Sequence, residues 1–193
     1  MKKNTIILIA AIVAVGLWLM SAYNSMVTAE EGVESAWSQV ENVYQRRMDL
    51  IPNLVATVKG YAQHESETLE GVINARSKAT QITVDPENLT PEALAEFNKA
   101  QGELSSALGR LMMITESYPD LKASQNFSEL QAQLEGTENR ITTERMKFNE
   151  VAKGYNTLIR KFPKSIIASI FGFERKGYFE AQEGAEYAPK VEF

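Results

Sequence analysis

An unbroken hydrophobic stretch opens the chain: it begins at Ile6 and reaches Tyr23 without a charged residue. Its length of about 18 residues is near the lower limit for a helix that crosses a hydrocarbon core of roughly 30 Å. Trp18 and Tyr23 lie where an aromatic belt at the membrane surface is expected. The stretch therefore predicts a retained transmembrane helix in contact with the lipid bilayer. The alternative is a cleaved signal peptide, for which residues 27–29 offer a cleavage site.

Amphipathic patterning follows in longer stretches. Apolar residues recur at helical spacing over residues 30–79, where Pro52 removes a backbone donor and is expected to bend or split the helix. A second helix is predicted to begin at Pro91, with Thr90 as its N-cap, and to end near Ser117. Because no linker rich in glycine or serine follows the hydrophobic stretch, we expect the anchor to continue into the first of these helices without a break.

A third stretch, residues 127–162, has a seven-residue repeat. One row of the repeat consists of Phe127, Leu134, Ile141, Phe148, Tyr155 and Phe162, and the companion row consists of Leu130, Thr137, Glu144, Val151 and Leu158. Rows at this spacing predict a helix that packs along its partners at a shallow angle.

No stretch shows the alternation of β-branched and polar residues that indicates a strand, so the fold class is predicted to be all-α. The predicted architecture is an N-terminal transmembrane helix, an elongated antiparallel bundle of three long helices with the first bent or split at Pro52, and an irregular C-terminal tail. The corresponding divisions are residues 1–28 for the anchor with its N-terminal flank, 29–163 for the bundle domain, and 164–193 for a short apolar segment with an extended tail.

Charge predicts the orientation in the membrane. Lys2 and Lys3 precede the hydrophobic stretch, whereas Glu30 and Glu31 follow it. Because basic flanks remain cytoplasmic, we expect a single-pass protein of the bacterial cytoplasmic (inner) membrane whose bulk lies on the outer, periplasmic side. The net charge of −5 argues against a nucleic-acid partner, since an acidic domain is repelled by the phosphate backbone.

Few residues offer catalytic chemistry. The chain has no cysteine and one histidine, His64, so it lacks a thiol nucleophile and the His and Cys ligands that zinc prefers. It contains neither a glycine-rich phosphate loop nor a nucleophile elbow. We therefore predict a protein that is not an enzyme and that has no metal or cofactor.

A polar cluster is predicted around Glu144, which occupies a seam position where an apolar residue is expected. A buried carboxylate needs a positive partner, because unpaired burial is costly. The candidate set is Arg46, Arg47, Asn139, Arg140, Glu144, Arg145 and Asn149, with Arg76 as a further available partner for the carboxylate. This set is interpreted either as a structural ion pair that fixes helix register or as a polar pocket or docking patch.

A candidate interface follows the last long helix and consists of Ile166, Ile167, Ile170, Phe171 and Phe173. These residues either fold back as a lid on the end of the bundle or contact another subunit or the membrane, since exposed apolar patches usually mark interfaces. Ala10 and Ala14 lie four residues apart on one face of the transmembrane helix and would let two such helices approach closely. We therefore expect a homo-oligomer.

Several segments resemble the LemA family in sequence, order and spacing. They are residues 37–53 (WSQVENVYQRRMDLIPN), 60–65 (GYAQHE), 139–156 (NRITTERMKFNEVAKGYN) and 162–193, which includes FGFERKGYFE and the terminal PKVEF. The resemblance implies a transmembrane helix and a helical-bundle domain but no activity, because the family has no agreed biochemical function. Some descriptions of the family place the bulk of the protein in the cytoplasm, which is opposite to the orientation predicted from the flanking charges.

Together these features predict a membrane-anchored scaffold or adaptor of the bacterial cell envelope that self-assembles and contacts other envelope membrane proteins. The alternative is an envelope sensor or binding module that takes a small ligand or peptide in a polar pocket of the bundle.

Overall fold

The computed structural model of the protein describes residues 3–180, and most of them are helical. In chain order the helices are α1 (Lys3–Tyr61), α2 (Ser66–Gln81), a short 3-10 helix (Pro86–Asn88), α3 (Pro91–Thr115), α4 (Pro119–Lys122), α5 (Gln125–Arg160) and α6 (Lys164–Phe171). No β-strand occurs in this part of the chain. The predicted all-α fold is confirmed.

Helix α1 joins the hydrophobic stretch to the bundle without a break. It has 59 residues, which corresponds to a length of about 90 Å. Its first part is long and apolar enough to cross a membrane, and its large apolar side chains up to Met20 are exposed. Buried residues of α1 begin at Ala22, so the packed bundle starts where the apolar stretch ends.

Pro52 does not split α1, which continues through it to Tyr61. Proline has no N–H for the carbonyl of Met48, four residues earlier, and Nε of Arg76 on α2 donates to that carbonyl at 2.9 Å. The helical stretch predicted over residues 30–79 is interrupted at residues 62–65, between α1 and α2, where residues 63–65 are expected to add a second irregularity. Of the two alternatives predicted at Pro52, a bend or a split, the split does not occur, and a side chain from the neighbouring helix satisfies the backbone group that proline leaves without a donor.

The long helices pack in antiparallel pairs. Helix α5 runs along α1, and α3 runs along α2. The direction of the first pair follows from two contacts: Tyr155 meets Glu30 near the anchor, whereas Glu138 meets Arg47 farther from it. Helix α6 turns back to pack against both α5 and α1.

The core of the bundle consists of two apolar clusters. The cluster next to the anchor includes Trp37 and Phe148, and the distal cluster includes Leu54 and Leu104. Arg47 lies on α1 at the boundary between them and is only 1% exposed. The boundary between the clusters is therefore polar, although each cluster is apolar.

The seven-residue repeat of α5 is buried mainly along one row. Side chains of the first row are buried from Phe127 to Tyr155, as predicted. Phe162, by contrast, is 81% exposed, because α5 ends at Arg160 and the chain then leaves the seam. In the companion row Thr137 is buried but Val151 is exposed, so this row lies at the edge of the core.

Candidate functional site

A segment without regular secondary structure crosses the bundle next to the anchor. We call residues 173–180 the C-terminal strap. It follows α6 after Gly172, whose φ of 76° ends that helix in the left-handed conformation that favours glycine. The predicted extended tail is therefore packed over its described part, where Lys176, Gly177 and Phe179 are buried. The rest of the predicted tail, residues 181–193, lies outside the described residues.

Two asparagines of α5 bind the backbone of the strap. Asn149 donates from Nδ2 to the carbonyl of Phe179 at 2.8 Å and accepts from its N–H at 2.8 Å. Asn156 makes the same pair of bonds with Lys176, at 2.8 and 3.0 Å. Seven helical residues rise by about 10.5 Å, and three extended residues span roughly 10 Å, so the two spacings match. The asparagines thus act as backbone partners for a segment that belongs to no sheet.

Phe179 anchors the strap in an aromatic cluster. Its ring stacks on Trp37 at a centroid distance of 5.9 Å and meets Phe148 edge-on at 5.4 Å. The guanidinium of Arg145 lies 4.7 Å from the centre of the Phe179 ring and donates to the carbonyl of Glu180 at 2.9 Å. Aromatic burial and a cation over the ring both stabilise this position.

Lys176 of the strap is charged and almost fully buried, at 6% exposure. Its Nζ lies 2.9 Å from a carboxylate oxygen of Glu30 and donates to the carbonyl of Glu87 at 2.8 Å. The hydroxyl of Tyr155 donates to the same Glu30 carboxylate at 3.2 Å. Burial and the adjacent Glu30 raise the pKa of the Tyr155 hydroxyl far above its usual value. The strap is therefore bonded to α1, to α5 and to the 3-10 helix.

Gly177 passes very close to the start of α3. Its N–H donates to the carbonyl of Leu89 at 2.8 Å, and a Cβ at this position would lie 2.8 Å from Cα of Pro91. Contact that close with backbone leaves no room for any side chain. The φ of Gly177 is not positive, so its backbone conformation does not require glycine. Glycine is needed at this position because a Cβ would collide with Pro91.

Arg47 is the second polar centre of the bundle. Its Nη1 contacts Glu138 at 2.8 Å and donates to Ser105 at 2.9 Å, and its Nη2 donates to the side chain of Gln101. The guanidinium also lies 5.0 Å from the centre of the Tyr44 ring. Arg47 is thus paired and hydrogen-bonded across α1, α3 and α5, as a buried charge must be.

The predicted pairing of Glu144 with an arginine is wrong. Glu144 is half-buried and pairs with Lys147 on the same helix at 2.8 Å. Arg47 uses Glu138 instead, which lies six residues, or about 9 Å, farther from the anchor along α5 than Glu144.

The remaining candidates of the polar set do not converge on one pocket. Arg46, Asn139 and Arg140 are exposed. Arg145 and Asn149 bind the strap, about two and three turns along α5 from Glu138, the partner of Arg47. The set therefore serves two different contacts, a buried ion pair and a backbone contact.

Open grooves flank α3, and two of them border the polar contacts described above. One, of about 810 Å³, runs along α3 from Pro91 to Ser106 and is bordered by Tyr178 of the strap. The other, of about 470 Å³, lies between α3 and α5 and is lined by Ser105 and Glu138, which both bind Arg47. Within residues 3–180, no three His, Asp or Glu side chains are grouped so that they could hold a metal ion.

The candidate interface after α5 is divided between buried and exposed residues. Ile167 is buried against the bundle, whereas Ile166, Ile170 and Phe171 are exposed. Phe173 is half-buried, and its ring meets Tyr23 at 5.6 Å. One face of α6 thus packs as a lid on the bundle, while Ile166, Ile170 and Phe171 leave the other face largely exposed, although the ring of Phe171 touches Tyr23 at its edge.

Comparison with known proteins identifies relatives over most of the chain. Magnetosome protein MamQ 1 of Paramagnetospirillum magneticum is 28% identical over 200 residues, which cover 94% of this chain and 73% of the relative. Magnetosome protein MamQ of Magnetospirillum gryphiswaldense is 29% identical over 197 residues, which cover 92% of this chain and 72% of the relative. Protein LemA of Metamycoplasma hominis is 26% identical over 160 residues, which cover 83% of this chain and 69% of the relative. The model of the LemA family matches residues 36–193. The match takes in residues 36–61 of α1, helices α2 to α6 and the strap, and the chain therefore belongs to the LemA family.

Proposed function

We propose that this protein is a non-enzymatic scaffold or adaptor, anchored in the cytoplasmic membrane of a bacterium, that self-assembles and contacts other envelope membrane proteins. The observation that carries the proposal is the continuity of α1, which runs from the apolar stretch into the core of the bundle. A continuous helix transmits the orientation of the anchor to the bundle, as a scaffold requires.

The polar interior supports a structural role. Arg47, Lys176, Asn149 and Asn156 are each engaged in several bonds within the chain. Groups used in this way are not free to bind substrate or to move protons. Relatives named as magnetosome proteins belong by name to a larger cellular structure, which supports assembly with other proteins.

Assembly is tested on the full chain extracted from its own membrane with a styrene–maleic acid polymer. Native mass spectrometry is expected to find more than one copy in each particle, and cross-linking before extraction is expected to join the bundle to other membrane proteins. An unrelated single-pass protein expressed at the same level is the control. A monomer without specific cross-linked partners would contradict the scaffold.

The proposed orientation places the bundle outside the cytoplasm and is tested by thiol labelling. Because the chain has no cysteine, Glu96→Cys introduces a single reactive group at an exposed position of α3. An impermeant maleimide is expected to label it in spheroplasts. The matched control, Asn4→Cys at the other end of the anchor, should be labelled only after lysis. The reverse result would place the bundle in the cytoplasm.

The second candidate function is binding of a small ligand or peptide, and the groove between α3 and α5 favours it. That groove opens onto Glu138 and Ser105, so a ligand there would compete for the partners of Arg47. Gly109 lines the groove and has open space around it, so Gly109→Leu should fill it. Native mass spectrometry would then detect a co-purified ligand in the parent and in the control Gly136→Leu, but not in Gly109→Leu.

A further inference from the structure

The outer face of α6 is an exposed apolar surface on an otherwise solvated bundle. Ile170 is 72% exposed, Phe171 is 60% exposed and Ile166 is also exposed. Phe162, just before the helix, adds a fourth large apolar side chain. The inner face of α6 already packs on the bundle through Ile167 and Ala168, so folding back cannot cover the outer face.

This surface lies beside the end of the apolar stretch of α1. The ring of Tyr23 contacts Phe171 at 4.9 Å and Phe173 at 5.6 Å. Nζ of Lys164 donates to the hydroxyl of Ser25 at 2.9 Å. Since Tyr23 is the last residue of the stretch that would fill the hydrocarbon core, α6 lies at the depth where that core gives way to headgroups.

The charges around α6 are opposite in sign to those of the whole chain. Arg160, Lys161, Lys164 and Arg175 flank or begin the helix in the sequence, and Glu174 is the one acidic residue of residues 160–175. The chain as a whole has a net charge of −5. A short apolar helix with basic neighbours has the composition of segments that lie in the surface of an anionic membrane.

We propose that α6 and Phe162 form a second membrane contact, in which the exposed face of α6 is embedded in the headgroup region of the bilayer that holds α1. The occupant of this surface is lipid, with basic residues beside anionic headgroups and apolar side chains at the acyl boundary. The proposal rests on the membrane anchoring proposed above. The α6 contact goes beyond that anchoring, because two membrane contacts fix the tilt and rotation of the bundle, which one transmembrane helix alone leaves free.

Spin labels on single cysteines of the full chain test this proposal in nanodiscs of phosphatidylethanolamine and phosphatidylglycerol. The labelled positions are Ile166→Cys and Ile170→Cys on α6, with Ile9→Cys as a reference in the anchor. The matched control is Met113→Cys, which is 65% exposed at the far end of the bundle. Collision rates with oxygen and with a water-soluble nickel chelate give the depth of each label, and melting temperatures confirm that the variants are folded.

The proposal expects oxygen collisions to dominate at Ile166 and Ile170, as at Ile9, and nickel collisions to dominate at Met113. Nickel access at both α6 positions with oxygen access at Ile9 would overturn the α6 contact and leave the anchor standing. Nickel access at Ile9 would overturn the anchoring and the α6 contact together. Protection of Ile170 from both reagents would mean that protein covers the surface, and would also overturn the contact with lipid.

Discussion

At the scale of single residues, the interior depends on a few polar side chains that each bind several partners. Arg47 joins three helices, and Lys176 joins the strap to α1 and to the 3-10 helix. A buried donor that loses its acceptor is destabilising by more than the lost bond itself, because it cannot return to water. Substitution of a partner of Arg47 or Lys176 therefore tests the buried charge more directly than substitution of the charged residue itself, because it leaves that charge buried without its acceptor.

Glu138→Ala is expected to lower the free energy of unfolding by about 2 kcal/mol, since it leaves Arg47 buried without its carboxylate. The value lies below that of a fully buried pair because the Glu138 side chain is 41% exposed and water screens it. Glu135→Ala, one turn away and exposed, is the control and should change stability by less than roughly 0.5 kcal/mol. Chemical denaturation of the full chain in detergent measures both. If Glu138→Ala is as stable as the parent, the hydrogen bonds to Ser105 and Gln101 are sufficient to stabilise the buried Arg47, and the prediction is wrong.

Tyr155 predicts a loss of stability at alkaline pH. The pKa of its hydroxyl is raised by burial and then by the charge of Glu30, so the folded protein keeps a proton that the unfolded chain releases near pH 10. The contribution of the protonated Tyr155 hydroxyl to the free energy of unfolding is complete below about pH 10. Above that pH it is lost, by up to about 1.4 kcal/mol per pH unit. Tyr155→Phe should therefore lose stability less steeply above about pH 10 than the parent. Tyr61→Phe, at an exposed position, should follow the parent curve; identical curves for all three would contradict the assignment.

The sequence predicts part of this residue-scale network. Arg47 and Asn149 belong to the predicted polar set, but their partners Glu138 and Phe179 do not. A repeat pattern identifies the positions that face the core, whereas the long arginine side chain reaches a carboxylate just beside the seam. Gln101 interrupts the apolar face of α3, and this interruption indicates a polar contact in the core. Its burial beside Arg47 explains the interruption.

At the scale of elements, the sequence predicts the helices well and the strap poorly. Apolar spacing and the Thr90 cap place α3 and α5 close to their observed bounds, because periodicity directly reports a buried helix face. The continuity of α1 through Pro52 depends on Arg76 of another helix, which local sequence does not show. The strap has no period, and its register depends on two asparagines that become meaningful only when the strap lies across them.

Asn156→Ala is expected to release the strap at Lys176, because the variant leaves both backbone groups of that residue without their partners. The free energy of unfolding should fall by about 1–3 kcal/mol. Amide hydrogen exchange of the strap should accelerate in the variant while the amides of α3 remain protected. Asn139→Ala, an exposed asparagine on the same helix, is the control. Unchanged exchange in Asn156→Ala would contradict this role of Asn156 and mean that the other contacts of the strap suffice to hold it.

At the scale of the whole molecule, anchor and bundle form one unit. Helix α1 is continuous from one to the other, α6 contacts the end of the apolar stretch, and the strap is bonded to Glu30 on the first turns of the bundle. A rotation of the anchor therefore requires a rotation of the bundle. In an assembly, contacts between anchors and contacts between bundles would have to satisfy the same symmetry, and a closed ring is the arrangement that leaves no unmatched surface.

The proposed oligomer depends on contacts between the anchors of neighbouring copies. Ala10 and Ala14 lie on one face of α1 and would let two anchors approach closely, so Ala10→Leu with Ala14→Leu should separate them. We expect native mass spectrometry in mild detergent to show fewer copies per particle for this double variant than for the parent. Ala11→Leu with Val15→Leu adds bulk to a neighbouring face and should preserve the parent assembly. Equal copy numbers for both variants would move the contact to the bundle, whereas a monomeric parent would contradict self-assembly itself.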